Sequence, residues 1–353
     1  MKILAIETSC DETSAAVVSS SPDNRILSNV IHSQIEIHKK YGGVIPEYAA
    51  RNHLNNIDVV VTEALKIANV RIKDIDVVAA TAGPGLMGGL LVGLTIAKTI
   101  SIMIDKPFIA INHLEAHILT PRLIYTDLDF PYLVLLASGG NFLFAEVKKV
   151  GQYKILGETL DDAAGEAFDK VAKMLGLPYP GGPSIEKAAS KGNKNRFNYT
   201  IPLLKQKGCN GSFSGLKTAT KKHIATLRGE MNDQDVCDIA ASFQNVVVKF
   251  IERQFKKALE MTSSNVKSVV IAGGVAANQN LRTTTQHFAK IHNLQFFAPP
   301  IALCSDNAAM IGWCAVERIK ANLGYSDLNF PVKPRWQIDN TNAKGKPNSK
   351  ISI

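Results

Sequence analysis

The distribution of apolar and polar positions repeats itself along the chain. Two apolar runs joined by a short polar turn occur near the N-terminus, and the same plan returns about 130 residues later. Short apolar runs on either side of a polar turn are typical of a β-hairpin. The pattern therefore predicts one hairpin with strands at 3–6 and 15–18, and a second with strands at 132–136 and 142–147.

A second plan, an apolar strand followed by a glycine turn and a helix, also occurs twice. The first copy runs from residue 77 to about 103, and the second places Gly273 and Gly274 between a strand at 266–272 and a helix starting near Asn278. Recurrence of both plans in the same order predicts a duplicated α/β chain with two lobes. Ligands are then expected in a cleft at the carboxyl ends of the strands. One large doubly wound sheet is the alternative.

Apolar spacing and capping residues predict four further helices, at 47–67, 165–175, 235–260 and 306–322, the last behind a Ser305 cap. Asn, Lys, Pro, Gly and Ser dominate after Trp336, which predicts a mobile tail. These patterns predict lobe I at 1–125 with helix 305–325 packing back on it, lobe II at 126–304, and a partly disordered tail at 326–353.

Residues 77–97 contain no charged side chain and are long enough to cross a bilayer. Glycine and proline interrupt the run, so we expect a buried α/β unit and no membrane partner. The apolar run within the first ten residues is too short to form the core of a signal peptide. Five scattered cysteines without a CxxC pair fit a reducing compartment. We therefore expect a cytoplasmic protein.

The net charge of +9 is concentrated in one segment. Residues 191–228 carry nine Lys and Arg side chains and no acid, which equals the whole excess of the 353-residue chain. Such a segment favours a polyanionic partner, although a solvated basic surface is the alternative.

His113 and His117 form a candidate metal site. Asn112 is a plausible helix cap and Thr120-Pro121 a plausible stop, so a short helix places both imidazoles on one face. Asp306, at the start of a helix rich in small residues, is the best candidate for a third ligand. Two histidines and one carboxylate suit iron or zinc. The alternatives are ordinary core or surface histidines and an aspartate that only stabilises its helix terminus.

A zinc protease needs a glutamate directly after the first histidine. Here Glu115 follows two residues later and lies about 200° around the helix from His113. It therefore cannot activate a water molecule bound to the same ion. Geometry therefore disfavours protease chemistry.

Glycine turns indicate a nucleotide site. Residues 83–88 match GxGxxG, but the next strand runs into Asn112 and not into an acid, which disfavours a dinucleotide enzyme. The turns at 138–140 and 273–278 allow close backbone approach. Each alone could equally be an ordinary turn, but two such turns facing one cleft favour a nucleotide ligand.

Two acidic groups are further candidates. Asp11 and Glu12 share the first hairpin tip. If the tip lies in a cleft, repulsion between the two carboxylates would raise the pKa of at least one of them, as general-base catalysis requires. A solvated turn is the alternative. Asp162, Glu166 and Asp169 are predicted to share one helix face, beside Asp161, and to meet a metal, a hydroxyl or the basic stretch.

Together these motifs closely resemble the TsaD family (formerly Gcp or YgjD) of tRNA threonylcarbamoyladenosine transferases. The resemblance covers the chain to about residue 325 and rests on residues 5–13, 38–47, 83–86, 113–117, 161–170, 179–183, 213–217, 272–278 and 303–307.

The resemblance implies an actin/hexokinase-like ATPase fold. It also implies a reaction, the transfer of a threonylcarbamoyl group from its adenylate to the N6 amine of the adenosine beside the anticodon. The tRNAs concerned are those that read codons beginning with adenine. The resemblance further implies a metal, Fe²⁺ or alternatively Zn²⁺, on His113, His117 and Asp306, and transfer residues at Asp11 and Glu12. The residues implied to bind the adenylate or an ATP-type nucleotide are Ala137, Ser138, Gly139, Gly140, Asn141, Asp169, Gly182, Glu186 and Asn278.

The implied partners are tRNA and TsaB-like and TsaE-like proteins. Asn141 and Phe142 depart from the bacterial pattern of His and Thr, and the tail after Trp336 is longer than usual. A metal-dependent endopeptidase and a nucleotide-binding scaffold without chemistry are the rival functions.

Overall fold

The computed structural model describes residues 1–227, 230–263 and 265–338, and these fall into two compact units. Unit 1 consists of Met1–Thr126, Lys149–Tyr153 and the chain from Ser305 onward, and unit 2 consists of Asp127–Lys148 and Lys154–Cys304. Arg228 of the basic segment and residues 339–353 of the predicted tail lie outside the described residues.

The elements of unit 1 are β1 (Lys2–Glu7), β2 (Glu12–Ser19), β3 (Ile26–Ser33), α1 (Ile35–Lys39), α2 (Pro46–Ile67), β4 (Val77–Gly83), α3 (Met87–Met103), β5 (Phe108–Asn112), α4 (His113–Ile124) and α10 (Ala308–Lys320). The elements of unit 2 are β6 (Tyr132–Ala137), β7 (Phe142–Lys149), β8 (Gln152–Glu158), α5 (Ala164–Met174), α6 (Gly181–Ala189), α7 (Ser214–Ala225), α8 (Asp233–Met261), β9 (Ser268–Ala272), α9 (Gln279–Ile291) and β10 (Gln295–Phe297), with Lys149–Tyr153 of the β7–β8 hairpin grouping with unit 1.

The two five-stranded sheets have the same strand order. The first reads β3-β2-β1-β4-β5 and the second reads β8-β7-β6-β9-β10. In each sheet the central strand pairs antiparallel with its hairpin partner and parallel with the strand of the glycine unit. The predicted duplication is thus confirmed, and the alternative of one large sheet is wrong.

Apolar strands buried on both faces form the core of unit 1. Side chains of β1, β2 and β4 pack with those of α2 and α3, and Trp336 joins them. The opposite face is covered by α10, whose Ala308, Ala309 and Gly312 are buried. A Cβ on Gly312 would lie 2.6 Å from Val18, so the small residues let this helix approach the sheet closely.

The core of unit 2 is aromatic. Phe142, Phe213 and Phe250 lie within ring-centroid distances of 5.0 to 6.4 Å of one another, and α8 supplies more of the helical side of the cluster than any other helix of unit 2. Buried phenylalanines contribute large apolar areas, and the edge-on contacts of Phe213 with the other two rings and the stacked contact between Phe142 and Phe250 are both favoured arrangements.

Three predicted boundaries were wrong. Asn307 caps α10 by accepting from the Met310 amide at 3.1 Å, so Ser305 is not the cap and Asp306 lies before the helix. Helix α4 continues through Pro121 to Ile124. Because α5 begins at Ala164, Asp162 precedes it and does not share a helix face with Glu166 and Asp169.

The described part of the expected tail packs on unit 1. Lys333 donates its amide to Ala82 O at 2.7 Å, and Trp336 is only 5% exposed. A Cβ on Gly83 would overlap Lys333 O, so the GxGxxG turn is covered by the chain's own backbone. Within the described residues, no helix combines the length and apolar content needed to cross a membrane.

Candidate functional site

The carboxyl ends of three neighbouring parallel strands build one site in unit 1. Ile6 of β1 pairs with Ala80 of β4, and Thr81 of β4 pairs with Ile111 of β5. Glu7 and Thr81 directly follow the Ile6–Ala80 pair, and His113 directly follows the last residue of β5, so the three lie near the same edge of the sheet. This is the edge at which parallel α/β sheets place ligands.

Helix α4 presents the two histidines as predicted. The Asn112 side chain accepts from the Leu114 and Glu115 amides at 2.9 and 3.2 Å, which fixes the first turn. The ring centroids of His113 and His117 lie 4.6 Å apart with the rings nearly perpendicular. Both rings are buried, and both direct Nε2 towards the same carboxylate.

That carboxylate belongs to Asp306. Its Oδ1 lies 3.5 Å from Nε2 of His113 and 3.0 Å from Nε2 of His117. One ligand atom from each of the three residues lies within 4.8 Å of the others, a spacing that a metal ion can bridge. Among the described residues this is the one such group of three, and its donor set fits a divalent ion with open coordination positions.

The ionisable side chains of this group shift one another's pKa. Burial acts to lower the pKa of His113, but the negative charges of Asp306 and Glu7 outweigh it and raise the pKa to about 9. Burial acts to raise the pKa of Asp306, but the positive charge of His113 and the hydrogen bond from His117 lower it to about 2. An excess of negative charge thus collects where a cation would sit.

Glu115 turns away from the histidines. Its two carboxylate oxygens accept from the Tyr153 hydroxyl at 2.7 Å and from the Arg318 guanidinium at 2.8 Å. The carboxylate is fully buried, and each of its oxygens is engaged by one of these partners. It therefore cannot act as the general base of a metalloprotease, in agreement with the helix geometry expected from the spacing.

The hairpin tip carries a buried Asp11 and a half-buried Glu12, which argues against a fully solvated turn. Asp11 is 7% exposed, and its carbonyl accepts from the Gln34 amide at 3.0 Å. Burial raises the pKa of Glu12 well above its usual range, and the neighbouring charge of Asp11 raises it further. A carboxyl group with a raised pKa is suited to proton transfer near neutral pH.

The glycine turns of unit 2 lie against one another. Gly165 donates its amide to Ser138 O at 3.1 Å, and a Cβ on Gly273 would lie 2.5 Å from Ala137 O. The tip after β6, the start of α5 and the turn after β9 therefore form one continuous backbone surface. Sequence reasoning identified the first and third of these as glycine turns, and the tip after β6 contacts both the start of α5 and the turn after β9.

Several glycines of unit 2 leave open space where a side chain would project, and four of them lie at the β6 tip, in α6 or in the turn after β9. A Cβ built on Gly139, Gly140, Gly182 or Gly274 meets nothing within 4 Å. This free space suits a ligand that approaches the backbone.

The polar candidates around these glycines are held by the protein itself. Asp169 accepts from the Gly181 amide at 2.7 Å, and Glu186 accepts from the Gln279 amide at 2.7 Å. Asn278 caps α9 through Leu281 N at 3.0 Å and donates to Gln244 at 2.8 Å. Their side chains position the turns, which leaves backbone groups as the main contacts open to a ligand.

The two unusual residues of the second tip have different roles. Asn141 reaches Ser138 Oγ at 3.4 Å and remains at the tip. Phe142 is 2% exposed and packs against Phe213, so it belongs to the core of unit 2.

The acidic group around Gly165 contacts hydroxyl groups through Asp161 and the basic segment through Asp162. These are two of the three kinds of partner expected for it. Asp161 accepts from the hydroxyls of Ser212 and Ser214 at 2.7 and 2.6 Å, and so anchors the start of α7. Asp162 pairs with Lys217 at 2.5 Å. These contacts lock the motif at 161–170 to the motif at 213–217.

Sequence reasoning missed the residues behind His113. Glu7, Ser9 and Thr81 surround its Nδ1 side, with Glu7 Oε2 at 3.1 Å and Ser9 Oγ at 3.2 Å. The available signal was that Glu7 directly follows the predicted strand at 3–6 and that Thr81 ends the strand predicted at the start of the first strand-glycine-helix unit, both at the expected ligand edge.

The fold resembles that of nucleotide-binding proteins of the actin/hexokinase-like type. The activator of 2-hydroxyisocaproyl-CoA dehydratase from Clostridium difficile, solved with bound ADPNP, matches with a TM-score of 0.53 at 14% identity, covering 91% of this chain and 97% of that chain. At that identity the likeness concerns the fold alone.

Sequence comparisons identify the family. The model "TsaD: tRNA N6-adenosine threonylcarbamoyltransferase" matches residues 25–313. The enzymes of that name from Rhodospirillum rubrum and Rhizobium meliloti are each 50% identical to this chain, over 345 and 347 residues. The alignments cover 96% of this chain and 95% and 96% of the two relatives. With matches of this extent, and with two histidines and an aspartate converging in unit 1, the chain belongs to the TsaD family of tRNA N6-adenosine threonylcarbamoyltransferases.

Proposed function

We propose that the chain transfers the threonylcarbamoyl group from threonylcarbamoyl-adenylate to the N6 amine of the adenosine beside the anticodon, in tRNAs that read codons beginning with adenine. The observation that carries this proposal is the family match along nearly the whole chain. The convergence of His113, His117 and Asp306 supports it, because the reaction benefits from a Lewis acid.

His113, His117 and Asp306 would hold the metal, for which Fe²⁺ is our first choice and Zn²⁺ the alternative. When bound, the ion supplies polarisation of a carbamoyl or phosphate oxygen. The chain's own side chains perform the remaining tasks. The exocyclic amine of adenine is a poor nucleophile, so it must be positioned and must lose a proton. Glu12, with its raised pKa, and Asp11 beside it are the groups we assign to proton removal.

We assign adenylate binding to the turns of unit 2. The open glycines Gly139, Gly140, Gly182 and Gly274 allow backbone amides to approach a phosphate or a nucleoside. Ala137, Ser138 and Asn141 complete the tip, while Asp169, Glu186 and Asn278 hold the turns in place.

Exposed lysines of the basic segment, Lys205, Lys207, Lys221 and Lys222, are our candidates for the tRNA path. Two other cations of the segment have internal partners: Arg196 pairs with Asp235 and Asp238, and Lys217 pairs with Asp162. The target adenosine must leave its stack to reach the reacting groups. We further propose that the chain works in the cytoplasm with TsaB-like and TsaE-like proteins.

The test is mass analysis of tRNA nucleosides from cells depleted of this protein and complemented with variants. We expect threonylcarbamoyladenosine to disappear on depletion, to return with the unchanged chain, and to stay absent with Glu12→Gln or Asp306→Asn. Asp23→Asn, which alters an exposed turn of unit 1, is the matched control and should restore the nucleoside fully.

Unchanged threonylcarbamoyladenosine in depleted cells would remove the proposal. Normal levels with both Glu12→Gln and Asp306→Asn would instead leave a nucleotide-binding scaffold as the better explanation. A reconstituted reaction with purified chain, partners, unmodified tRNA and threonylcarbamoyl-adenylate then separates loss of transfer from loss of protein in the cell.

A further inference from the structure

Glu7 is a carboxylate in an unusual position, fully buried at the end of β1. Burying a carboxylate is costly unless hydrogen-bond donors surround it. The Ser9 amide donates to Glu7 Oε1 at 2.5 Å, and the Thr81 hydroxyl donates to Glu7 Oε2. Nδ1 of His113 lies 3.1 Å from the same Oε2.

This arrangement selects one form of the His113 ring. A carboxylate oxygen only accepts hydrogen bonds, so the 3.1 Å contact with Glu7 is a hydrogen bond when Nδ1 carries the hydrogen. Ser9 Oγ, 3.2 Å from the same Nδ1, is a hydroxyl that can accept as well as donate and is compatible with this form. In the neutral ring the lone pair then lies on Nε2, the atom that faces Asp306 at 3.5 Å. The side chain that orients His113 thus also decides which of its nitrogens can bind an ion.

We propose that Glu7 is a positioning residue for the metal centre, which holds His113 in the tautomer and orientation that present Nε2 to the ion. The inference rests on the metal centre proposed above. A carboxylate behind a histidine ligand is a general way to fix the ring and to strengthen its binding.

The donors around Glu7 make a glutamine a poor replacement. One oxygen faces the Ser9 amide and the other faces Thr81 and His113, so the NH2 group of a glutamine would meet a donor in either orientation. Glu7→Gln therefore keeps the shape of the side chain and destroys its pattern of hydrogen bonds. Thr81→Val is the milder change, because it removes one donor to Glu7 at nearly constant volume.

The two histidines differ in the hydrogen-bond partner of their Nδ1 atoms. Nδ1 of His117 is buried and has no hydrogen-bond partner among the described residues. Its orientation depends on the Nε2 contact with Asp306 and on packing within α4. Only the His113 side of the centre is braced by a second carboxylate.

The experiment measures binding of Zn²⁺ and Co²⁺ to the metal-stripped full chain by competition with a chromophoric chelator. We expect Glu7→Gln to weaken affinity by about 10- to 100-fold, and Thr81→Val to weaken it less. Glu317→Gln, which alters a buried carboxylate of unit 1 that pairs with Arg122, is the matched control and should bind like the unchanged chain. Thermal unfolding of each metal-free variant separates lost affinity from lost structure.

A second readout is the ¹⁵N NMR spectrum of labelled histidines in the Zn²⁺-loaded chain. We expect His113 to show a protonated Nδ1 in the unchanged chain and a mixture of forms in Glu7→Gln. If Glu7→Gln does not fold, Thr81→Val carries the test in both measurements.

Affinity and ring form that are unchanged in the folded variants would overturn the inference while leaving the metal centre intact. If the unchanged chain binds neither ion, the metal centre itself fails and the inference falls with it.

Discussion

At the scale of single residues, His53 shows how a buried side chain supports the hairpin tip that carries Asp11 and Glu12. The ring is fully buried in α2, and its Nε2 donates to Cys10 O at 3.0 Å. Its Nδ1 then accepts from the Thr13 hydroxyl at 2.8 Å. These two bonds require the neutral ring, and they tie α2 to both ends of the tip.

Burial lowers the pKa of His53 below its usual value of 6.5, against the opposing effects of the Cys10 carbonyl, Glu7 and Asp11; His38 lowers it further. The unfolded chain therefore binds more protons at this site below pH 6.5. The site's contribution to the free energy of unfolding is present above that pH and falls as the pH decreases towards the folded pKa.

We predict that His53→Gln reduces the pH dependence of stability below about pH 6.5, by up to about 1.4 kcal/mol per pH unit. Urea unfolding at several pH values measures it. His287→Gln, on the exposed side of α9, is the control and should keep the slope of the unchanged chain. Equal slopes in all three proteins would contradict the prediction.

At the scale of elements, close packing of α10 on the sheet of unit 1 depends on Gly312. A Cβ there would lie 2.6 Å from Val18 and 3.2 Å from Ala5. Alanine favours a helix over glycine by about 1 kcal/mol, but overpacking costs about 1 to 3 kcal/mol. We predict that Gly312→Ala lowers the free energy of unfolding by about 1 kcal/mol.

A matched glycine-to-alanine substitution in another helix should change the free energy of unfolding in the opposite direction. Gly215 lies in the first turn of α7, and a Cβ there meets nothing within 4 Å. Gly215→Ala should therefore raise stability by about 0.5 kcal/mol. Chemical unfolding of both variants decides the matter, and a stabilising Gly312→Ala would show that the helix can shift away from the sheet.

The segment at 333–336 is an element without regular secondary structure. Gly85 donates its amide to Pro334 O at 3.2 Å, and the Asn112 side chain donates to Trp336 O at 3.2 Å. The second bond orients the residue that caps α4. The segment thus supports the helix that carries both histidines.

We predict that Trp336→Ala lowers the free energy of unfolding by roughly 3 kcal/mol, because a large buried side chain is removed from the core of unit 1. Thermal and urea unfolding measure the loss. A chain ending at Ile338 is the comparison that separates this segment from the residues after it. Stability unaffected by Trp336→Ala would mean that the segment does not hold unit 1 together.

At the scale of the whole molecule, the basic segment is the feature expected to respond to salt. Replacing Lys205, Lys207, Lys221 and Lys222 by glutamine should weaken tRNA binding. The slope of log affinity against log salt should fall by about 0.7 to 0.9 for every lysine that contacts a phosphate. Filter binding of tRNA over a salt series measures both effects.

Four exposed lysines elsewhere provide a control of equal charge: Lys66, Lys73, Lys148 and Lys149. Their replacement by glutamine should leave the salt slope near that of the unchanged chain. If both quadruple variants lose the same slope, net charge and not this segment governs tRNA binding.

The sequence by itself determined much of the architecture. Local periodicity located both hairpins and both strand-glycine-helix units, and their repeated order predicted the duplication seen in the two sheets. The spacing of His113 and His117 placed both rings on one face, because helical periodicity is a local property. The motifs as a set also carried the resemblance to the TsaD family.

Only the tertiary structure decided which distant residues meet. The convergence of Glu7, Thr81 and His113 depends on the order of β1, β4 and β5 in the sheet, which no local pattern specifies. Packing likewise fixed the partners of Asp162 and placed Trp336 in the core of unit 1. Local periodicity is set by backbone geometry between near neighbours, whereas hydrogen bonds across tens to hundreds of residues exist only after the chain has folded.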